Sequence, residues 1–199
     1  PDGQQELLTA ENNPEDPAAG SRELPFSKTI LIEQEDFREE ANRKFFRLKL
    51  GKEVRLKNVY IIKAESVEKD NNGKIKTVYC TYDPLSKSGS GTEESQRKVK
   101  GTLHWVSELH AHQVQVRNYD RLFSDPNPDG HKDVDFTSFL NQNSLTEQQA
   151  FIEPNIGKPH HGKNYQFQRQ GYYVVDPDST ETNIIFNRTV GLRDNWSKK

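Results

Sequence analysis

Short alternations of apolar and polar residues run along this chain and predict a series of brief strands. The first is the Ser27–Glu33 stretch, where TILI is flanked by polar residues. Asp36 then opens a different period. Asp-Phe-Arg-Glu at 36–39 has the spacing of a capping box, and Phe37, Ala41, Phe45 and Leu48 recur at helical intervals before Gly51 ends the run. The spacing predicts a helix over 36–50 with those four residues facing the core. Lys44 and Arg47 would then lie on the rest of its surface, free for a ligand and dispensable for folding. From Glu53 the period falls to two. Val54 and Leu56 alternate with Arg55 and Lys57, which places the two cations on one strand face, about 7 Å apart. That strand is read on through VYIIK, and Asp70-Asn71-Asn72-Gly73 is a turn leading into IKTVYCTYD. Residues 84–96 read as a flexible loop. KGTLHWVS (100–107), QVQVRNYDRLF (113–123), SLTEQQAFIE (144–153), KNYQFQRQGYYVVD (163–176) and NIIFNRTVGLR (183–193) complete the strand candidates. Some eight strands with one helix argue for a mainly β, barrel-like architecture. The strand count exceeds one small barrel and suits two, with a seam near His110–Gln113.

Composition narrows this picture. Of the 199 residues, 31% are hydrophobic and 29% charged, too polar for one thick core and suited to small barrels with much surface. Residues 1–20 hold five acids and no base, with Pro14, Pro17 and Gly20, and read as an extended, loosely held arm. The single Cys80 cannot form an intramolecular disulfide; it is expected as a buried strand residue, and a reducing, cytoplasmic setting fits. PDGQQELL lacks the basic and apolar regions of a signal peptide, and without a methionine the chain reads as a piece of something longer.

Charge distribution brings in the chemistry. Against a net charge of -2, Arg43–Lys57 (RKFFRLKLGKEVRLK) carries seven basic residues and one acid, interleaved with aliphatic and aromatic side chains. Phosphates select cations, and unpaired bases select flat partners and forked donors, so this stretch has the make-up of a nucleic-acid contact. A second polar-aromatic cluster is YQFQRQGYY at 165–173, where Gln166 supplies both a donor and an acceptor and Arg169 a fork and a stacking plane. Strict alternation sets Gln166 and Arg169 on opposite faces unless the strand bulges, for which Gly171 is a plausible cause. His110-Ala-His112 and His160-His161 lack companions for a metal site, and Leu85-Ser86-Lys87-Ser88 only imitates a nucleotide-binding loop. Phosphate-binding glycine loops, nucleophile motifs and paired apolar-context carboxylates are missing, so no catalytic centre and no metal site are expected.

PFSKTILIEQEDFREEANRKFFRL, GKEVRLKNVYIIKAESVEKDNNGKI, VKGTLHWVS, YDRLFSDPNP and FNRTVGLRDNW together resemble the C-terminal anticodon-binding region of the glutaminyl-tRNA synthetases, bacterial type, from about Leu7 to Trp196. The related region of eukaryotic and archaeal glutamyl-tRNA synthetases is the nearest alternative, and a stand-alone ribosomal-RNA-binding barrel a more distant one. The resemblance implies two tandem small six-stranded β-barrels with exchanged N-terminal strands and one or a few short helices. Residues 1–26 would be an acidic arm and part of the proximal barrel, 27–112 the distal barrel and 113–199 the proximal barrel. It further implies a monomeric parent enzyme whose class I catalytic domain, on the same polypeptide, uses ATP and glutamine. That domain and its motifs are not in this chain, which needs no cofactor of its own. Glutamine tRNA is the implied partner, with no DNA and no membrane. The family's first proximal strand, carrying an Arg for the middle base, would precede Pro1 and leave an edge that is open or paired with another chain.

Carried over by position, the family's reader of the third anticodon base falls on Arg47, with Lys44 close to the loop in place of a Gln. A neighbouring family Lys becomes Phe46. The first-base pocket falls on Arg55 and Lys57, the second of these usually an Arg, which would soften discrimination because an ammonium lacks the bidentate fork. The middle-base pocket falls on Gln166 and Arg169. Glu15 stands where the family has an Asn, and nothing in the sequence accounts for it.

Overall fold

The computed structural model describes residues 3–156 and 160–192; the last residues of the FNRTVGLRDNW motif, from Arg193 on, lie outside them. The chain divides into two compact units. The first is Pro1–Ala111 with Glu153–Asn155, and the second is His112–Ile152 with Ile156–Lys199. Both are built from strands, as the alternation predicts.

In the first unit β1 (Gln5–Glu11) and β2 (Ser21–Ser27) form an antiparallel hairpin from Gln5↔Ser27 to Glu11↔Ser21. The expected loose arm is therefore ordered. Pro14 and Pro17 fall in the connection, where Asp16 caps a 3-10 turn at Pro17–Ala19, while Glu6 and Glu11 lie on β1 itself and Leu8, Ala10 and Leu24 are buried. Glu6 on β1 accepts the phenol proton of buried Tyr60 at 2.9–3.0 Å and pairs with Lys87 at 3.1 Å. Burial and then Glu6 push the Tyr60 phenol up to about 12. After β3 (Ile30–Leu31), the 36–50 segment is not a helix. A single 3-10 turn at Gln34–Asp36 gives way to irregular chain, because Leu48 donates its N–H to the Asp36 carbonyl at 2.9 Å and Arg38 donates to the Leu48 carbonyl at 3.1 Å. Those cross-chain bonds take up the backbone groups that a helix needs for itself. Phe37 and Leu48 are still buried, so helical spacing picked core residues correctly and their conformation wrongly.

β4 (Glu53–Leu56), β5 (Ile61–Lys69), β6 (Ile75–Asp83) and β7 (Thr102–Leu103) form a sheet in the order β6-β5-β4-β7. β4 stops at Leu56, so Lys57 lies just past its end, and Asn58 turns the chain at φ 65°. The Asp70–Gly73 turn joins β5 to β6 as expected. Cys80 is on β6, an edge strand of its sheet, and is exposed rather than buried. Residues 84–96 contain a 3-10 turn and a one-turn helix, α1 (Glu93–Gln96). β8 (Val106–Ser107) pairs with β3, and Val54, Leu56, Val59, Leu103 and Trp105 fill the core.

The segment Glu153–Asn155 packs within this first unit, where Glu153 meets Arg22 at 2.5 and 3.1 Å and His104 at 3.5 Å. Burial alone would raise its carboxyl, but His104 and Arg22 hold it down to about 2. A carboxyl depressed in the fold contributes stability that is complete above its ordinary pKa and lost as pH falls through the folded value, here from about 4.5 toward 2. We expect urea midpoints to fall across that window by an amount equivalent to about 3 kcal/mol, and Glu153→Gln to flatten the decline. An equal decline in the variant would remove Glu153 as its source.

In the second unit β9 (His112–Tyr119), β10 (Leu145–Ile152), β11 (Asn164–Phe167), β12 (Gly171–Val175) and β13 (Ile185–Gly191) make one sheet in the order β10-β9-β13-β12-β11. β13 runs parallel to β9, and the other pairs are antiparallel. The core packs Val114, Val116, Tyr173, Val175 and Phe186, with Phe167 stacked on Tyr173 at 4.3 Å. On the opposite face Arg117 collects Glu147, Asp176 and Asp178, each at 3.1 Å.

Candidate nucleic-acid interface

Each unit carries one of the two clusters picked out by composition. In the first, Gly101 is where the Arg43–Lys49 segment meets β4. Its carbonyl accepts from the Arg55 N–H at 2.8 Å, and a β-carbon there would lie 2.3 Å from the Phe46 carbonyl oxygen, so only glycine fits. Phe46 is 51% exposed, with the Lys100 ammonium 5.7 Å from its ring centroid. Residue-by-residue transfer counted Phe46 only as a lost cation. The structure makes it a surface aromatic beside a cation, and the signal for it was the Lys100-Gly101 pair.

The cations differ in how free they are. Lys44 is exposed. Arg47 is not a free surface cation, as the expected helix would have made it. Its Nη1 sits 3.1 Å from Asp36 Oδ1, 3.1 Å from the Glu35 carbonyl oxygen and 3.8 Å from Glu35 Oε2, and Asp36 is 2% exposed. Arg55 donates to the Ser86 carbonyl at 3.0 Å, Ser88 Oγ at 3.2 Å, the Ser95 carbonyl at 2.8 Å and the Arg97 carbonyl at 3.4 Å. Its guanidinium thus fastens the 86–97 segment to β4. The predicted flexible loop is pinned, and Ser86, buried, accepts from the Ile61 N–H at 2.8 Å and donates to the Asp83 carbonyl at 2.6 Å. Lys57 is held by its backbone, donating to the Leu103 carbonyl and accepting from Trp105 Nε1, each at 2.9 Å, and its side chain is half-buried. Arg55 lies on β4, and Lys57 follows one residue past its end.

In the second unit Gln166 lies on the exposed face of β11 directly across from Tyr172, which is 45% exposed. The geometric conflict between Gln166 and Arg169 dissolves, since Arg169 is not on a strand. It occupies the third place of the turn closed by the Gln170 N–H to Phe167 carbonyl bond at 3.0 Å, with φ 67°. That left-handed backbone is uncommon for a residue with a β-carbon, and residues held there gather at functional sites. A bulge falls between Tyr172 and Tyr173, and Gly171 is needed because a β-carbon would sit 2.4 Å from the Val190 carbonyl oxygen. Tyr172 is the exposed aromatic that the residues carried over by resemblance do not include, although it belongs to the polar-aromatic run. His110 is engaged by Ser107 Oγ and Gln5 Oε1, and His161 by the Asp176 carbonyl.

The chain belongs to the family of class I tRNA synthetase (E and Q) anticodon-binding domains, whose models match residues 1–83 and 102–176. Its relatives point to the glutamine branch. It is 57% identical over 199 residues to glutamine–tRNA ligase of Rhodopirellula baltica, 52% over 198 residues to that of Proteus mirabilis and 51% over 199 residues to that of an Enterobacter species. These alignments cover 100% of this chain and 33%, 35% and 35% of the three relatives, so the chain spans about a third of their length.

Proposed function

We propose that this chain is the anticodon-gripping part of a glutamine–tRNA ligase, with glutamine tRNA as its partner. The ATP-dependent attachment of glutamine would then lie in the remainder of the polypeptide. The observation that carries the reading is the β11–β12 hairpin, where an amide, an exposed aromatic ring and an arginine held at positive φ stand together. Unstacked bases need this combination, a stacking plane with donors and acceptors for the base edge. In this reading Gln166 and Arg169 take the middle base, Arg47 with Lys44 the third, and Lys57 the first. Arg55 contributes to the first-base pocket by holding its wall.

A stem-loop carrying the glutamine anticodon is expected to bind, and substitution of any one anticodon base to weaken binding by roughly 5- to 150-fold, the equivalent of about 1–3 kcal/mol per base readout. The stem-loop of glutamate tRNA should bind more weakly, and log affinity should fall with log salt. Equal affinity across the panel would overturn the reading, as would affinity that ignores salt.

A further inference from the structure

In a chain of net charge -2, two stretches of the first unit, RKFFRLK at 43–49 and RKVKG at 97–101, hold seven cations and no acid. They meet where the Phe46 carbonyl faces Gly101. Three of the cations are spent inside the fold: Arg47 on Asp36, Lys49 on the Ala41 and Asn42 carbonyls, and Arg97 on Glu53 and Asp83. The other four are Arg43, Lys44, Lys98 and Lys100. Each is exposed and stands within three residues of the meeting point along its own stretch, and among the described residues none has a carboxylate partner. Like charges gathered in this way raise a potential that a bound anion relieves.

At the meeting point stands an aromatic ring that the fold does not use. Phe46 belongs to neither core, is 51% exposed and touches no other ring. Its backbone is nonetheless fixed. Asn42 accepts from the Phe45 N–H at 3.2 Å through its carbonyl and from the Lys44 N–H at 2.9 Å through Oδ1, and the Leu48 N–H is held by the Asp36 carbonyl at 2.9 Å. Lys100 Nζ lies 5.7 Å from the ring centroid, close to the outer limit of a cation–π contact at about 6 Å, so the ammonium is only loosely engaged and is able to turn to an anion. A single exposed ring on a surface needs no explanation, but one held in place among four unpaired cations does.

A ligand that satisfies both features carries negative charge and a flat face in one piece. An acidic peptide brings the charge without the plane, and a duplex keeps its bases stacked inside. An unpaired nucleotide brings both. We infer that Phe46 is a stacking platform for one unpaired base of the bound RNA and that Lys100 takes a phosphate beside it. The ring has no donor or acceptor, so it holds the base without reading its identity. This rests on the anticodon-loop reading and adds to it a contact that is blind to sequence.

The test is fluorescence anisotropy of the 199-residue chain over a range of salt. The probes are the glutamine anticodon stem-loop, its single-base anticodon variants, and loops with one abasic nucleotide at each position in turn. Phe46→Leu keeps an apolar side chain and removes the aromatic plane. It is expected to melt with the wild type and to weaken binding by roughly 5- to 150-fold, the range for one lost base–aromatic stack, by the same factor for the glutamine loop and its anticodon variants. Phe46→Tyr should retain binding. One abasic position should weaken the wild type by a similar factor and Phe46→Leu hardly at all, which identifies the stacked base. Lys100→Gln should flatten the log–log salt slope by about 0.7, the change for one lost phosphate contact on a single strand. Wild-type affinity in Phe46→Leu overturns the inference, and so does an additive effect of Phe46→Leu at every abasic position. A wild-type slope in Lys100→Gln overturns the phosphate contact. Failure of the wild-type chain to bind the intact loop would instead overturn the anticodon reading.

Discussion

Replacing Arg47 by alanine is expected to lower the stability of the chain and its affinity for the anticodon loop together. Asp36 is almost wholly buried, and Arg47 Nη1 stands 3.1 Å from its Oδ1. Removing one partner of a buried pair is far more harmful than never having had the pair, because the remaining charge keeps its desolvation penalty. Arg47 is itself 35% exposed, which screens the interaction, so the loss should fall below the fully buried range, at about 2–3 kcal/mol by urea denaturation. The proposed third-base contact should vanish as well, with affinity falling by roughly tenfold or more. A paired variant separates the two effects. Arg47→Met with Asp36→Asn removes both charges, and much of the stability should return while the affinity does not. Wild-type stability in Arg47→Ala would discard the ion pair as a structural element. Wild-type affinity in the paired variant would discard Arg47 as a base reader.

Loss of Arg55 should have a comparable effect on the fold and a different one on binding. Its guanidinium serves four acceptors drawn from Ser86, Ser88, Ser95 and Arg97. With it gone, three carbonyls and a hydroxyl lose charge-assisted bonds, and the segment loses its attachment to β4. We expect Arg55→Ala to lose about 2–4 kcal/mol and to melt roughly 5–10 °C lower, with trypsin cutting first after Lys87 and Arg97. Binding should weaken mainly through disorder in the wall of the first-base pocket, so discrimination at that base should decline together with protease protection. A variant that keeps its protection but loses first-base discrimination would make Arg55 a direct contact.

These two arginines also show what a sequence can and cannot convey. The cations, amides and aromatics of both clusters were legible as residue types, and alternation at Val54/Leu56 and Val114/Val116 marked strands that exist. The partners were not legible. Arg47 meets Asp36, and Arg55 meets acceptors about 30 to 40 residues away, so spacing along the chain says nothing of either bond. The helix read over 36–50 failed for a related reason. Burial of Phe37 and Leu48 fits a helix and an irregular crossing equally well, and the backbone bonds between Asp36 and Leu48 decide between them. The hairpin of residues 5–27 was hidden by a connection rich in Pro and acid, which dominated the composition of the segment. Cys80 followed the alternation of its neighbours but lies on an edge strand, where alternation alone does not bury a residue.

The order β10-β9-β13-β12-β11 has a consequence for biosynthesis. β13, the last strand of this sheet in chain order, occupies its centre, joining the β9–β10 pair through a parallel ladder and the β11–β12 hairpin through an antiparallel one. Until Ile185–Gly191 emerges, β9–β10 and β11–β12 are separate ribbons, each with an unpaired edge that invites misassociation. This sheet therefore commits to its native form only once its last strand in chain order has been translated, and nascent chains stalled before residue 185 are the ones most in need of chaperone protection.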